Sequence, residues 1–293
     1  MKIDAGTILN NLSKASSKPA AAKNDGVAVA ADKFDTRPHA DYDTNLAKLK
    51  AASLRNPGQQ ETPSLTGISE PISNQDVDQT GFQERLIADL GPQFARMQFT
   101  HDCSKLQGMI PTASQLQAEF DKLAANKDIP FEYIYDGCYA RAHLMCDQMN
   151  KDNINNSKMF CMLENPYGAG KLTAENKYMK AKWWYHVAPM VFAVDEKSKQ
   201  VEPFIMDPSM SKKPMKPQEW IHAMWDESTR IKVDVTRNPQ YGPIETGEVN
   251  QTFEESIPSA IETCAEYTVE MEKIKADYDA SHPPQSQGQR KAA

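Results

Sequence analysis

The sequence predicts an α+β fold in which helices pack against an antiparallel sheet. From residue 79 onward, apolar residues recur at helical spacing in some stretches and form short β-rich runs in others. The first 78 residues, in contrast, lack the composition of a hydrophobic core. We therefore predict three ranges: a disordered, targeting or pro-segment over 1–78, one folded domain over 79–280 and a disordered tail over 281–293.

The elements of the predicted domain follow from the two periodicities. Ser114 and Gln117 are predicted to cap the second helix, and a polar turn over 195–200 joins two strands as a hairpin. In chain order we predict helices over 81–99 (interrupted at Gly91-Pro92), 111–126 and 138–150, a strand over 158–163, hairpin strands over 184–194 and 201–206, a helix over 217–227, a strand over 230–235 and a long helix over 254–278.

The N-terminal segment contains no Cys or Trp, and its only aromatic residues are Phe34 and Tyr42. Such a composition cannot bury enough apolar surface to offset the entropy lost on ordering. A short helix is predicted only over 45–55, where three leucines share a face. The segment is interpreted as a linker, as a secretion-targeting segment or as a pro-region that covers the site.

Charge and hydropathy exclude several classes of protein. The chain carries 33 Lys and Arg against 40 Asp and Glu, a net charge of −7, which argues against nucleic-acid binding. The longest apolar run, 187–194, is far shorter than the ~20 residues of a membrane span. The N-terminus has no continuous apolar stretch, so we expect no Sec signal peptide. The five cysteines are too few for a disulfide-stapled fold.

A candidate nucleophile lies where an aromatic, β-like approach ends at Asp136-Gly137 and a helix begins at Cys138. Asp136 is predicted to be the N-cap, and Gly137 permits a sharp entry into the helix. The helix dipole and the unpaired N–H groups of the first turn favour a thiolate and are suited to holding an oxyanion. The same pattern also fits a small residue packed beneath a helix start.

Two further residues complete a possible catalytic set. His186 lies in an aromatic run and Asp207 ends a strand before a proline, so that alone they read as a core histidine and a turn former. Together with Cys138, they form the chain order Cys138, His186, Asp207. This order supplies what thiol catalysis needs, because a thiol nucleophile requires a base and the base requires an acid that orients it. This order, with the Cys at a helix start and the His on a strand, is that of papain- and transglutaminase-like cores.

The motifs narrow the resemblance further. The strings Asp-Gly-Cys-Tyr-Ala-Arg-Ala-His at 136–143, Tyr-His-Val-Ala at 185–188 and Met-Asp-Pro-Ser at 206–209 resemble those of the bacterial protein-glutaminases, which deamidate glutamine side chains of proteins. The resemblance implies Cys138 as nucleophile, His186 as base and Asp207 as orienting acid, with no cofactor or metal. We expect the substrate to contact three aromatic residues near these motifs: Trp184, Tyr185 and Tyr139.

The same residues could also serve other kinds of site. Cys138, His143, Cys146 and Cys161 have the residue types of a zinc site, but positions eight apart on a helix are ~12 Å apart, too far for one tetrahedral ion. We expect Arg141 and His143 to pack or to form hydrogen bonds. The same triad would also serve a cysteine peptidase or a transglutaminase, and an interaction protein without activity would retain the fold.

The proposed activity and the N-terminal sequence together predict partners and a setting. We expect a monomer that acts on a protein presenting an accessible Gln and that has no nucleic-acid partner. We also expect an inhibitor or immunity protein to control its activity. Without a Sec signal, the chain is predicted to be an effector or toxin that a specialised secretion system exports into a target cell, or otherwise to be cytoplasmic.

The hairpin allows a geometric prediction. If the two strands pair so that residue numbers sum to 395, His186 lies opposite Ser209. Asp207 then lies on the same face as His186, diagonally across the ladder and within reach of a hydrogen bond. A one-residue bulge would place the two side chains on opposite faces.

Overall fold

The computed structural model describes residues 76–244 and 252–283. The predictions made for residues 1–75, including the helix over 45–55, and for the tail after 283 lie outside the described residues. The first described helix begins at Gln79. The division into three ranges stays a prediction.

Helices and strands alternate along the described chain. The helices are α1 (Gln79–Leu90), α2 (Ala113–Ala124), α3 (Cys138–Lys151), α4 (Pro217–His222) and α5 (Ile257–Ser281), and the strands are β1 (Phe94–Phe99), β2 (Ser157–Leu163), β3 (Leu172–Glu175), β4 (Lys180–Trp183), β5 (Tyr185–Val194), β6 (Val201–Ile205) and β7 (Ile231–Arg237). Within residues 76–244 and 252–283, no helix combines the length and the apolar composition needed to cross a membrane.

The main sheet has the strand order β1-β7-β2-β5-β6, and β3 and β4 form a separate two-stranded sheet. The predicted α+β class is confirmed, and four strands of the main sheet are antiparallel as expected. Strand β1 instead pairs with β7 in parallel. A parallel neighbour needs a long crossover rather than a hairpin, so local sequence signals do not reveal it.

Two predicted helix boundaries are wrong for identifiable reasons. The first helix ends at Leu90, because Gly91 has a φ of +69° and Pro92 follows it; the predicted remainder forms β1. In the second helix, Thr112 and Gln115 form the capping box instead of Ser114 and Gln117. Its apolar face is buried as predicted, at Leu116, Phe120 and Leu123.

The remaining elements agree more closely. Helix α4 ends at His222, five residues earlier than predicted, although Met224 and Trp225 beyond it are still buried. The short β3–β4 hairpin was not predicted, because strands of four residues carry little periodic signal.

The central strands carry the site. Every residue of β2 is buried, as are all residues of β5 except the last, which is the pattern of strands covered on both faces. Helix α3 packs against β5, and α5 packs against α3. The start of α3 therefore lies between the sheet and the C-terminal helix.

Candidate active site

Helix α3 begins with Cys138, as the sequence predicts. Gly137 rather than Asp136 occupies the N-cap, with a left-handed φ of +77°. The Asp136 side chain does not cap the helix; its Oδ1 accepts a hydrogen bond from the Gly137 N–H at 2.6 Å. A Cβ at position 137 would lie 2.7 Å from the Tyr267 ring. Both the backbone conformation and the lack of space therefore require glycine at this turn.

The Cys138 thiol is buried against β5. The side chain is in an apolar cluster with Val187, and the Val187 backbone N–H donates a hydrogen bond to the sulfur. Burial raises the pKa of Cys138 to about 12, although the nearby Arg141 charge acts in the opposite direction. The helix start was expected to favour the thiolate, but the loss of hydration on burial outweighs that effect in this structure.

All five cysteines are free thiols, and burial raises the pKa of each. Cys138 differs from the others in exposure: it is 6% exposed, whereas the other four are 0–1% exposed. Cys138 therefore differs from the other four thiols in its access to reagents and in its contact with β5, and not in a low resting pKa.

The hairpin register is confirmed. Strands β5 and β6 pair from Val194↔Val201 to Met190↔Ile205, so paired residue numbers sum to 395. The pairing of His186 with Ser209 does not form, because β6 ends at Ile205. His186 Nε2 nevertheless lies 2.8 Å from Asp207 Oδ2, as predicted for side chains on the same face.

The Asp207 carboxylate is held by donors on both oxygens. Trp220 donates its indole N–H to Oδ2 at 2.8 Å, the oxygen that also contacts His186. Ser209 donates its backbone N–H and its hydroxyl to Oδ1. Burial alone would raise the pKa of Asp207, but the His186 charge and these hydrogen bonds outweigh it and lower the pKa to about 2. The side chain is therefore a fixed anion.

This anion determines the tautomer of His186. An ionised carboxylate only accepts hydrogen bonds, so Nε2 of His186 carries the proton. Nδ1 of the neutral ring then has a free lone pair, and it is buried without a hydrogen-bond partner among the described residues. Trp183 stacks on the ring at 4.5 Å and Trp220 at 5.4 Å between centroids, so that the imidazole is held between two indoles.

The three residues expected to contact substrate lie close to Cys138. Tyr185 belongs to the apolar cluster of Cys138, and Tyr139 and Trp184 are partly buried against it. Trp184 and Tyr185 contact each other edge to face, with ring centroids 4.5 Å apart. Their role in binding stays a prediction.

Two motif residues are structural, as expected. Arg141 is 2% exposed and donates Nη1 hydrogen bonds of 2.7 Å to the carbonyl oxygens of Tyr133 and Asp136. His143 is fully buried, with Nε2 3.0 Å from the Phe253 carbonyl oxygen and Nδ1 2.9 Å from Lys158 Nζ. No group of three or more Cys, His, Asp or Glu side chains in 76–244 and 252–283 is arranged to hold a metal ion.

Sequence reasoning missed three residues that contact residues of the three motifs. Trp220 contacts both Asp207 and His186, Lys158 contacts His143, and Tyr267 contacts Asp136. Trp220 lies on a short helix after the motifs and Tyr267 on the C-terminal helix. Only Lys158 gave a signal in the sequence, because it lies in an apolar strand and a buried strand rarely contains a lysine.

Comparisons with known proteins bear on the same region. Residues 115–224 match the model of a protein family described as Glutaminase. Similar solved structures include a crystal structure of a pro-protein-glutaminase mutant (28% identity, 47% of this chain and 51% of that chain, TM-score 0.40) and a crystal structure of protein-glutaminase (27%, 47% and 77%, 0.39). A third is the NMR structure of protein-glutaminase from Chryseobacterium proteolyticum (24%, 50% and 84%, 0.42).

The match covers part of each partner. The chain spans about half the length of the pro-protein-glutaminase mutant, and no curated protein matches it significantly. The family match includes Cys138, His186 and Asp207. Residues 115–224 therefore match a glutaminase family model, in agreement with the resemblance to protein-glutaminases that the three motifs carry.

Proposed function

We propose that this chain hydrolyses the carboxamide of glutamine side chains in proteins, releasing ammonia and leaving glutamate. Cys138 is the nucleophile, His186 the base and Asp207 the residue that orients the base. The observation that carries the proposal concerns the two ring nitrogens of His186: Nε2 contacts Asp207 Oδ2 at 2.8 Å, whereas Nδ1 is buried with no hydrogen-bond partner in the described part of the chain. The next residue along β5, Val187, donates its N–H to the Cys138 sulfur.

Acylation is the first step of the proposed reaction. Nδ1 of His186 takes the thiol proton, and the sulfur forms a bond to the carboxamide carbon. Backbone N–H groups in the first turn of α3 stabilise the negative charge on the carboxamide oxygen. His186 then gives its proton to the nitrogen, which leaves as ammonia and produces a thioester on Cys138.

Water completes the reaction. His186 takes a proton from the water molecule as the water oxygen bonds to the thioester carbon. The carbon–sulfur bond then breaks, and His186 returns this proton to the departing sulfur, which gives the Cys138 thiol and a glutamic acid side chain that ionises to glutamate in water. Asp207 remains ionised throughout and stabilises the charged form of His186. This scheme also accounts for the high resting pKa of Cys138, because the thiolate forms only as the proton moves to His186.

Three residues are proposed to form the substrate-contacting wall. Tyr185 is 8% exposed, and Trp184 and Tyr139 are partly buried against the cluster that contains Cys138. Such apolar rings suit the methylene groups of a glutamine side chain. A protein substrate with an accessible Gln is the partner implied; delivery into another cell and control by an inhibitor protein stay predictions from the sequence.

The test is to incubate the full chain with an unfolded protein and to map the products by mass spectrometry. We expect a gain of ~1 Da at Gln residues together with ammonia release, as water resolves the acyl-enzyme, and neither with Cys138→Ala. Cleavage of the backbone would identify a peptidase, and Gln–Lys cross-links a transglutaminase. A chain that produces none of these changes would contradict the proposal.

A further inference from the structure

We propose that Tyr267, on α5, is a positioning residue for Cys138: its ring and hydroxyl hold the Asp136-Gly137 turn from which the nucleophile helix begins. The inference rests on the function proposed above, since it concerns the reactivity of the same thiol. Helix α5 begins at Ile257, beyond the residues 115–224 that the family model matches. It therefore adds to the site a segment that the family match does not include.

The ring of Tyr267 fills the space beside Gly137. A Cβ built at position 137 would lie 2.7 Å from the ring carbons Cδ2 and Cε2. Tyr133 stacks on the Tyr267 ring, with ring centroids 4.4 Å apart and an interplanar angle of 17°. The glycine and the aromatic ring are therefore complementary, and the left-handed turn is packed directly against α5.

The hydroxyl of Tyr267 acts on the same turn through a carboxylate. It donates a hydrogen bond of 3.0 Å to Asp136 Oδ2, while Asp136 Oδ1 accepts from the Gly137 N–H at 2.6 Å. A single carboxylate thus links α5 to the backbone one residue before Cys138. Hydrogen bonds to an ionised group are about twice as strong as neutral ones, which suits this link to a positioning role.

Further contacts fix α5 in place along this turn. One turn beyond Tyr267, Glu270 Oε2 accepts a 2.7 Å hydrogen bond from the Tyr133 hydroxyl. Lys275 forms an ion pair with Glu132. On the other side of Cys138, Ala140 packs against Ala260 and Cys264 of α5. The helix therefore contacts the chain both before and after the nucleophile.

The charges around the turn determine in which direction each substitution should change the thiolate fraction of Cys138. The negative charge of Asp136 raises the pKa of Cys138, and the Arg141 charge lowers it. Tyr267 engages the Asp136 carboxylate and so limits its repulsion of a thiolate. Loss of the hydroxyl should disfavour the thiolate, whereas loss of the Asp136 charge should favour it.

The experiment measures alkylation of Cys138 by iodoacetamide in the full chain from pH 5 to 10, by peptide mass spectrometry. Three variants are compared with the parent chain: Tyr267→Phe, Asp136→Asn and, as a matched control, Tyr278→Phe. Tyr278 is on the same helix and contacts Tyr178 instead of the turn. Circular dichroism checks that each variant is folded.

At pH 7 we expect Tyr267→Phe to slow alkylation about 3- to 10-fold, through a smaller thiolate fraction. Asp136→Asn should accelerate it, and Tyr278→Phe should leave it unchanged. Equal alkylation rates for Tyr267→Phe and the parent chain, or slower rates for both turn variants, would overturn the proposal. If only one of these two variants folds, the direction in which its alkylation rate changes decides the test. No glutamine enters the assay, so its result is separate from that of the deamidation test.

Discussion

His186 and His143 are both buried, and each directs Nε2 toward an oxygen: a carboxylate for His186 and the Phe253 carbonyl for His143. Their second ring nitrogens differ. Nδ1 of His186 has no hydrogen-bond partner among the described residues, whereas Nδ1 of His143 lies 2.9 Å from Lys158 Nζ. The two histidines therefore differ in the partner of Nδ1 and in the carboxylate that contacts Nε2, and not in burial.

The charges make the same distinction. Nε2 of His186 contacts the Asp207 carboxylate, which is an anion. Burial and the Lys158 charge lower the pKa of His143 to about 3, so that this ring stays neutral. His143 belongs to the most specific motif of the chain, Cys-Tyr-Ala-Arg-Ala-His, yet its surroundings suit a structural hydrogen bond instead of proton transfer.

The strongest way to break the comparison is the same substitution at both histidines. His186→Gln should lower kcat by about 10³-fold or more, because general-base catalysis is lost. His143→Gln should retain activity within about tenfold, because an amide oxygen can still accept from Lys158. Initial rates of ammonia release, with circular dichroism as the folding control, measure both. Losses of similar size would show that burial alone matters.

Asp207→Asn tests the carboxylate behind His186. An amide offers a donor that favours the wrong tautomer, so kcat should fall by about 10²- to 10⁴-fold with little change in KM, and less than in Cys138→Ala. Asp234→Asn is the matched control, because Asp234 is also buried on a strand but binds Arg96. Near-normal turnover of Asp207→Asn would remove this residue from the site.

Trp220→Phe sharpens the account of how Asp207 is held. The variant keeps a ring beside His186 but loses the indole N–H bonded to Asp207. Loss of one hydrogen bond to a charged group costs about 1.5–3 kcal/mol when fully expressed, and we expect part of it as a 3- to 10-fold decrease in kcat. Trp225→Phe, which loses an N–H bonded to the Thr229 carbonyl, should have no effect on kcat.

The smallest expected effect concerns Lys158 and stability. Burial lowers the pKa of Lys158 from 10.5 to about 8, so between these values the unfolded chain binds more protons than the folded chain. The free energy of unfolding should therefore rise as the pH increases above 8. Urea unfolding at pH 8 and 9.5 should show this rise in the parent chain and a smaller one in Lys158→Met. Equal rises in both chains would contradict a lowered pKa of Lys158.

Much of this arrangement follows from local sequence. The Asp136-Gly137 turn, the helix after it and the hairpin register predict that Cys138 begins a helix and that His186 and Asp207 share a face, and these placements are confirmed. Each depends on signals within a few residues: a glycine, a polar turn and two β-rich runs.

Long-range contacts account for what the sequence did not predict. Strand β1 adds in parallel to β7, Trp220 reaches Asp207 from α4, and Tyr267 reaches Asp136 from α5. These pairs are set by tertiary packing, which no short pattern encodes. The high pKa of Cys138 has the same origin, because burial depends on the whole fold whereas the helix dipole was visible locally.

The most direct test of the central claim, that the free nitrogen of His186 activates Cys138, is competitive alkylation of all five cysteines in the folded chain near neutral pH. The thiols are separated by peptide mapping, in the parent chain and in His186→Gln. We expect Cys138 to react first and to slow by about 10-fold or more in the variant, because the imidazole no longer takes its proton, with the other four unchanged. Faster reaction at Cys146 or Cys161, or an unchanged rate at Cys138, would contradict the account.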